Sequence, residues 1–413
     1  MHTLNQRKII NDPVYGFIKI PNTLIFELIQ HPYLQRLRRI KQLGLTNYVY
    51  PGANHTRFEH ILGAMHLMSN ALETLKSKGQ NLSEEEQTGA LAAILLHDCG
   101  HGPFSHTLEH SIQGDVSHEE LSLLYMQKLN KQYKGKLQTA IDIFTDKHHK
   151  KFLHSLVSGQ LDTDRLDYLR RDSFYSGVSE GVIGSDRIIK MLDVRNSEIV
   201  IEEKGIYSIE KFLIARRIMY WQVYLHKTVV AAEQMLVKTL LRAREIFRER
   251  ELPASPALSF FLRKDITKTS LNREDRMGKT PADWFAEIDD NDVICALKQW
   301  AHDKDTVLSI LSQRIIHRNL FKVEIQTTPF EPHKIETLRK ETAKKYNLSK
   351  SETAYFVFSD TISNKAYSIK KSVSINILQK SGKIKDIADA SDISNIKTLS
   401  ETVEKYFICY PKL

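Results

Sequence analysis

Cysteine is scarce in this chain. There are 3 among 413 residues, Cys99, Cys295 and Cys409, far apart and odd in number. That excludes a disulfide-stapled scaffold and a zinc-finger spacing, and it suits a reducing compartment. No apolar run is long enough to span a bilayer, and the opening MHTLNQRKII is polar. The expectation is a cytoplasmic protein that neither enters a membrane nor carries a secretion signal. Internal repeats and low-complexity tracts are also missing. Acidic residues fall short of basic ones, 50 against 59, which leaves a net charge of +9. An excess of that sign suits nucleic acid, nucleotides or acidic lipid, or it is a solvated surface. What the chain has in quantity is core. With 41% hydrophobic and 26% charged residues, it has the proportions of an ordered globular protein.

Residues 1–250 carry helical periodicity. His31–Leu43 has Pro at a helix start and then Leu34, Leu37 and Ile40 on one face. Thr56–Leu75 places Ile61, Met65, Met68, Leu72 and Leu75 at spacings of three and four. Glu84–Asp98 becomes wholly apolar at Leu91–Leu96, which predicts burial on all sides. Asp164–Asp172 and a long helix over Ser208–Arg250 follow. ELPASP at Glu251–Pro256 reads as a linker, and Thr280–Leu311 is helical again. Beyond His317, Phe321–Gln326, Ala354–Ser359 and Ser372–Leu378 read as strands, with a hairpin turn at Lys380–Lys383. The expected fold is mainly α: a helical domain at 1–250, a helical extension at 251–316 and a smaller α+β region at 317–413.

The chemistry gathers where the apolar helix ends, in LLHDCGHGPFSH at Leu95–His106. A His97–Asp98 pair closing a buried helix needs compensation. A divalent cation held by imidazole and carboxylate provides it. TRFEH offers His60, with Arg57 one turn earlier on the same face. LDTDRLDYLRRD offers Asp164, followed at spacings of four by Tyr168 and Asp172. His60, His97, Asp98 and Asp164 form a two-His, two-Asp set that leaves positions open for water or a phosphate oxygen. Taken singly, His60 reads better as a core histidine hydrogen-bonded to backbone and Asp164 as a helix N-cap or an ion-pair partner of an arginine; the four together point to metal. Asp162 suits the role of helix N-cap. His101, His106 and His118 come next. A carboxylate beside a histidine fixes its tautomer and raises its pKa, so His118 with Glu109 suits a general acid. Read alone, His118 simply begins a helix. Arg216, Tyr220 and Tyr224, four apart, offer charge for phosphates and rings for a base, or an aromatic stripe in the core.

The order of TRFEH, HDCGHGPFSH and DTDRLDYLRRD closely resembles the HD-domain phosphohydrolases. More narrowly it is similar to their deoxynucleoside triphosphate triphosphohydrolase branch, which includes dGTPase-like bacterial proteins. The likeness runs from Lys8 to Lys227, includes YLHK at Tyr224–Lys227, and returns at HRNLFK, His317–Lys322. The resemblance implies hydrolysis of a deoxynucleoside triphosphate (dNTP) to deoxynucleoside and inorganic triphosphate. It implies one divalent transition metal (Fe, Mn, Ni, Co or Zn) on His60, His97, Asp98 and Asp164, Mg with the nucleotide phosphates, and a homo-oligomer, dimer or tetramer. It assigns Arg57, Arg165 and Arg216 to the phosphates. It places His101, His106 and the His118–Glu109 pair beside the α-phosphate and leaving oxygen. Gln42, Tyr168 and Asp172 fall around the 3′-hydroxyl, Tyr224 at the sugar's 2′-edge and Tyr220 near the base.

The chain departs from that pattern in places. Glu109 stands for the usual aspartate, and Tyr220 for a histidine of the vertebrate enzymes. Lys8, Asn11, Gln35 and Arg38 resemble parts of a nucleotide activator site. However, Gln30 replaces the aspartate that reads guanine there, and Glu202 replaces a basic residue. Repulsion between Glu202 and phosphate leads to the expectation that guanine-nucleotide activation is altered or absent. The chain shows no sterile-alpha-motif domain. Two other readings stay open. One is an HD phosphohydrolase acting on another nucleotide or phosphoester. The other is a regulatory protein with a vestigial site, whose sign would be weak single-stranded nucleic-acid binding with a steep salt dependence.

Overall fold

The structure is a computed structural model that describes residues 8–104, 114–367, 374–392 and 398–412. After a hairpin, β1 (Ile9–Asp12) and β2 (Gly16–Lys19), come α1 (Thr23–Gln30), α2 (Pro32–Gln35) and the long α3 (Arg57–Ser77). α3 starts where Thr56 caps it: the Glu59 carboxylate reaches back to accept the Thr56 N–H, a reciprocal capping box. The same device opens α4 (Glu84–Leu96) at Ser83 with Glu86, and α5 (His118–Gln132) at Ser117 with Glu120. The expected apolar stripe of α3 is wholly buried, as is Leu91–Leu96 of α4. Burial of such side chains contributes roughly 1.5–3 kcal/mol each. α6 (Gln138–Phe144) and α7 (Lys151–Val157) cover α4, and α8 (Thr163–Ser176) packs along α3. Asp162 caps α8 as expected, its Oδ1 accepting the Arg165 N–H at 2.7 Å. Gly177 ends α8 in the left-handed conformation, with φ of 73°.

α9 (Ser185–Lys190) leads to a second hairpin, β3 (Leu192–Arg195) and β4 (Glu198–Glu202), and then to α10 (Ile206–Met219) and α11 (Lys227–Phe247). α12 (Pro256–Arg263), α13 (Pro281–Phe285), α14 (Asp290–Trp300) and α15 (Thr306–Ile316) follow. The remainder holds β5 (Lys322–Gln326), α16 (Pro332–Tyr346), β6 (Phe358–Asn364), β7 (Asn376–Leu378), β8 (Ile384–Asp386), α17 (Ile387–Ala390) and β9 (Val403–Tyr410). Strands β5, β9 and β6 form one antiparallel sheet. β7 joins β4 in parallel, so the C-terminal region extends the hairpin of the helical part. The chain is thus mainly helical, with a smaller sheet-bearing C-terminal region, as its periodicity led us to expect.

Local departures have local causes. The single helix expected at His31–Leu43 is one turn at Pro32–Gln35, a 3₁₀ turn at Arg36–Arg39 and an extended stretch in which Lys41 bridges to Thr56. Arg36 explains the break. It is buried and donates to the carbonyls of Ile288, Cys99 and His101 at 2.8–2.9 Å. These tertiary bonds outweigh helical periodicity, and they tie down the HDCGH segment. The helix expected at Ser208–Arg250 is interrupted by a π-helical turn at Tyr220–Tyr224 and a break before His226, which caps α11. The expected strand Ala354–Ser359 begins only at Phe358, after a 3₁₀ turn. The β1–β2 and β3–β4 hairpins and β9 were not anticipated. The Lys380–Lys383 turn does join β7 to β8 with Gly382 at φ of 80°.

Candidate metal centre and phosphate pocket

Three elements deliver three ligand atoms to one point: α3 brings His60, the end of α4 brings His97, and the first turn of α8 brings Asp164. His60 Nε2, His97 Nε2 and Asp164 Oδ1 lie within 4.8 Å of one another. His60 Nε2 is 3.0 Å from Asp164 Oδ1, and His97 Nε2 is 3.5 Å from it. Asp98 closes the group, with Oδ1 3.3 Å from His97 Nε2 and Oδ2 3.9 Å from His60 Nε2. Its Oδ2 also accepts a bond from Arg57. The four side chains expected to converge therefore do so.

The tautomers follow from the outer partners. His97 Nδ1 is 2.6 Å from the Ile94 carbonyl, and His60 Nδ1 is 2.8 Å from Asp167 Oδ2. Both partners can only accept, so each Nδ1 carries a proton. Each Nε2 then presents its lone pair to the shared point, and neither has a hydrogen-bond partner in its buried position among the described residues. That arrangement, with two carboxylates beside it, fits a divalent cation. The charges agree with it. Burial opposes a charge on His60, yet the adjacent Asp164 and Asp167 carboxylates push its pKa up to about 10. Burial likewise opposes ionisation of Asp164, and the two histidines overcome it and lower its pKa. Without a cation, protons must balance the cluster.

A cavity of about 820 Å³ opens beside Arg57. All eight residues that the resemblance assigned to substrate line it: Gln42, Arg57, Arg165, Tyr168, Asp172, Arg216, Tyr220 and Tyr224. Arg57 and Arg165 are tied to Asp98 and Asp162 respectively. Arg216 is buried, and it makes no ion pair or side-chain hydrogen bond with any described residue. Asp172 accepts from His55 Nε2 at 2.8 Å and from the Tyr224 hydroxyl at 2.7 Å. Burial raises the pKa of Tyr168 and Tyr224, which keeps both phenols protonated. The Tyr220 and Tyr224 rings meet edge to face, centroids 5.1 Å apart.

A family profile described as HD domain matches residues 57–172, and one described as HD associated region matches residues 183–254. The chain is 31% identical to the uncharacterized protein YwfO of Bacillus subtilis, over 99% of this chain and 93% of that protein. It is also 31% identical to a deoxynucleoside triphosphate triphosphohydrolase SAMHD1 homologue of Dictyostelium discoideum. That match spans 58% of this chain and 50% of the relative, so the chain corresponds to about half of that protein. The crystal structure of a phosphohydrolase from Bacteroides thetaiotaomicron matches with a TM-score of 0.93 at 54% identity, over 98% of this chain and 100% of that one. The chain belongs to the HD-domain phosphohydrolases.

Several of this HD phosphohydrolase's functional neighbours escaped sequence reading. Asp167, Arg171 and Asp12 form a buried relay behind His60. Arg171 Nε bonds Asp167 at 3.0 Å, and its Nη1 bonds Asp12 at 2.8 Å. His55, beside TRFEH, steadies Asp172 and stacks on Tyr175, centroids 4.5 Å apart. The signal for Asp167 was present, since it lies one helical turn after Asp164. His101 stacks on His118 at 3.9 Å, and its Nε2 is 3.3 Å from Asp98 Oδ1. Burial first, and the Arg57 charge second, lower the His101 pKa to about 3, so it is a neutral imidazole. His118 opens α5, with Glu119 3.7 Å away. His106 and Glu109 lie outside the described residues.

The expected activator region looks different from a phosphate site. Glu202 is already matched by Lys78 at 2.7 Å and Lys204 at 3.3 Å. Arg38 bonds Gln35 and covers the Phe58 ring, while Lys8 sits over Phe26. A second His/Glu grouping, Glu86 with His148 and His149, also holds Lys150 2.7 Å from its carboxylate, so its charge is spoken for. None of the described helices is long and apolar enough to cross a membrane.

Proposed function

We propose that this HD phosphohydrolase cleaves dNTPs to deoxynucleoside and inorganic triphosphate. The observation that carries the reading is Arg216: a buried guanidinium without a partner among the described residues, in a cavity shared with two more arginines, of which Arg57 bonds Asp98 of the two-His, two-Asp cluster. Such a charge calls for an anion, and three arginines oppose the roughly four negative charges of a triphosphate at neutral pH. A divalent cation held by His60, His97, Asp98 and Asp164, with Fe, Mn, Ni, Co and Zn as candidates, would supply Lewis-acid polarisation of the α-phosphoryl group and a more acidic water. Mg would accompany the phosphates.

Arg57, Arg165 and Arg216 hold the triphosphate. Gln42, Tyr168 and Asp172 receive the 3′-hydroxyl, and Tyr224, fixed by its bond to Asp172, crowds the sugar's 2′-edge. Water attacks the α-phosphorus, the bond to the 5′-oxygen breaks, and that oxygen takes a proton. His101, stacked on His118, lies on the cluster's flank, and His106 or the His118–Glu109 pair donates the proton. Incubation with each of the four dNTPs should release intact triphosphate. Pyrophosphate with monophosphate, or turnover only of other phosphoesters, would reject the mechanism.

A further inference from the structure

The cavity does not end at the tyrosines. Its outer wall is made by the C-terminal sheet, where β6 supplies Asp360, Thr361 and Ile362 and β9 supplies Phe407. Asp360 and Phe407 are cross-strand partners, so their side chains stand on the same face of the sheet. α11 approaches this wall with Gln234 and Lys238. Lys238 is half-buried with its ammonium 4.9 Å from the Phe358 ring, and it has no ion pair or hydrogen bond with any described residue. Burial lowers its pKa, and the Asp360 charge works against that shift. Asp360 spends Oδ1 on the neighbouring Thr361 N–H at 2.8 Å, and its Oδ2 has no partner among the described residues. A donor and an acceptor with spare capacity therefore line a pocket whose other lining holds the three arginines.

Once the phosphates occupy the arginines and the sugar lies against Asp172 and the tyrosines, the base is left to meet this wall. Nucleobases differ in the order of donors and acceptors along their edges, and a site with fixed polar groups tells such edges apart. We propose that Lys238 and Asp360 contact the nucleobase edge and set the base preference, so that the C-terminal sheet is the specificity wall of the pocket. This inference rests on the dNTP reading above.

The test compares the intact protein with K238M and D360N. It measures kcat/KM for all four dNTPs and the inhibition constant of inorganic triphosphate, which has no base. Thermal melting and metal content confirm that the variants are folded. In both variants the ratios of kcat/KM among the dNTPs should change by about fivefold or more. The triphosphate inhibition constant should stay within about twofold, because the lost contacts are to the base rather than the phosphates. Unchanged ratios in both variants would overturn the proposal. So would a matching rise in the triphosphate constant of K238M, which would make Lys238 a fourth phosphate cation. A wild-type protein inert to every dNTP would overturn the functional reading and this one together, whereas an active wild type with unaltered ratios sinks only this one.

Discussion

Asp167 shows how much of a metal centre lies behind its ligands. Its Oδ2 holds the His60 Nδ1 proton, and Arg171 holds Asp167 by two bonds. The pair is fully enclosed, so the relay fixes both the tautomer and the aim of His60. Asp167→Asn keeps the shape but weakens the acceptor and leaves Arg171 without one of its two counter-charges. Metal affinity should fall by about 10–100-fold. Competition against a chromophoric chelator measures this, and unaltered affinity would sink the assignment. Chemical type and spacing picked out His60, His97, Asp98 and Asp164, because ligands are recognised by what they are. Asp167, His55 and Arg36 act by what they face, and facing is settled only when helices pack.

The α3–α8 crossing illustrates how helices set the site. Gly63 sits opposite Asp167 and Arg171. A Cβ there would lie 2.0 Å from Asp167 Oδ1 and 2.3 Å from Arg171 Nη2. The missing side chain is what lets the two helices close over a charged pair. Gly63→Ala should destabilise the fold by about 1–3 kcal/mol through overpacking. It should also lower metal occupancy, since the displaced carboxylate orients His60. Urea titration alongside metal analysis checks both, and a variant as stable and as metal-loaded as wild type would refute the argument. Helix periodicity located α3, α4 and α8 well, because their apolar stripes and caps are local signals. It failed across Ser208–Arg250. There the π-helical turn at Tyr220–Tyr224 precedes the Tyr224–Asp172 hydrogen bond, whose partner is 52 residues away.

A cation that joins α3, α4 and α8 binds the folded chain and not the unfolded one, so it should act on global stability. At free metal a thousandfold above its dissociation constant, linkage gives about 4 kcal/mol. Chelation should therefore lower the melting temperature and abolish phosphoester hydrolysis, and restoring the metal should recover both. A melting curve indifferent to chelator would count against an occupied centre. The residues alone were enough for the mainly helical class, the helices α3, α4 and α8 with the Asp162 cap, and the four candidate ligands, because periodicity and ligand chemistry are written in short stretches. They could not reveal that a strand near residue 360 would form a wall of the pocket, or that a hairpin near residue 10 would send Asp12 to Arg171. Those contacts join segments more than a hundred residues apart. No local preference encodes them, and they exist only once the buried charges have found partners.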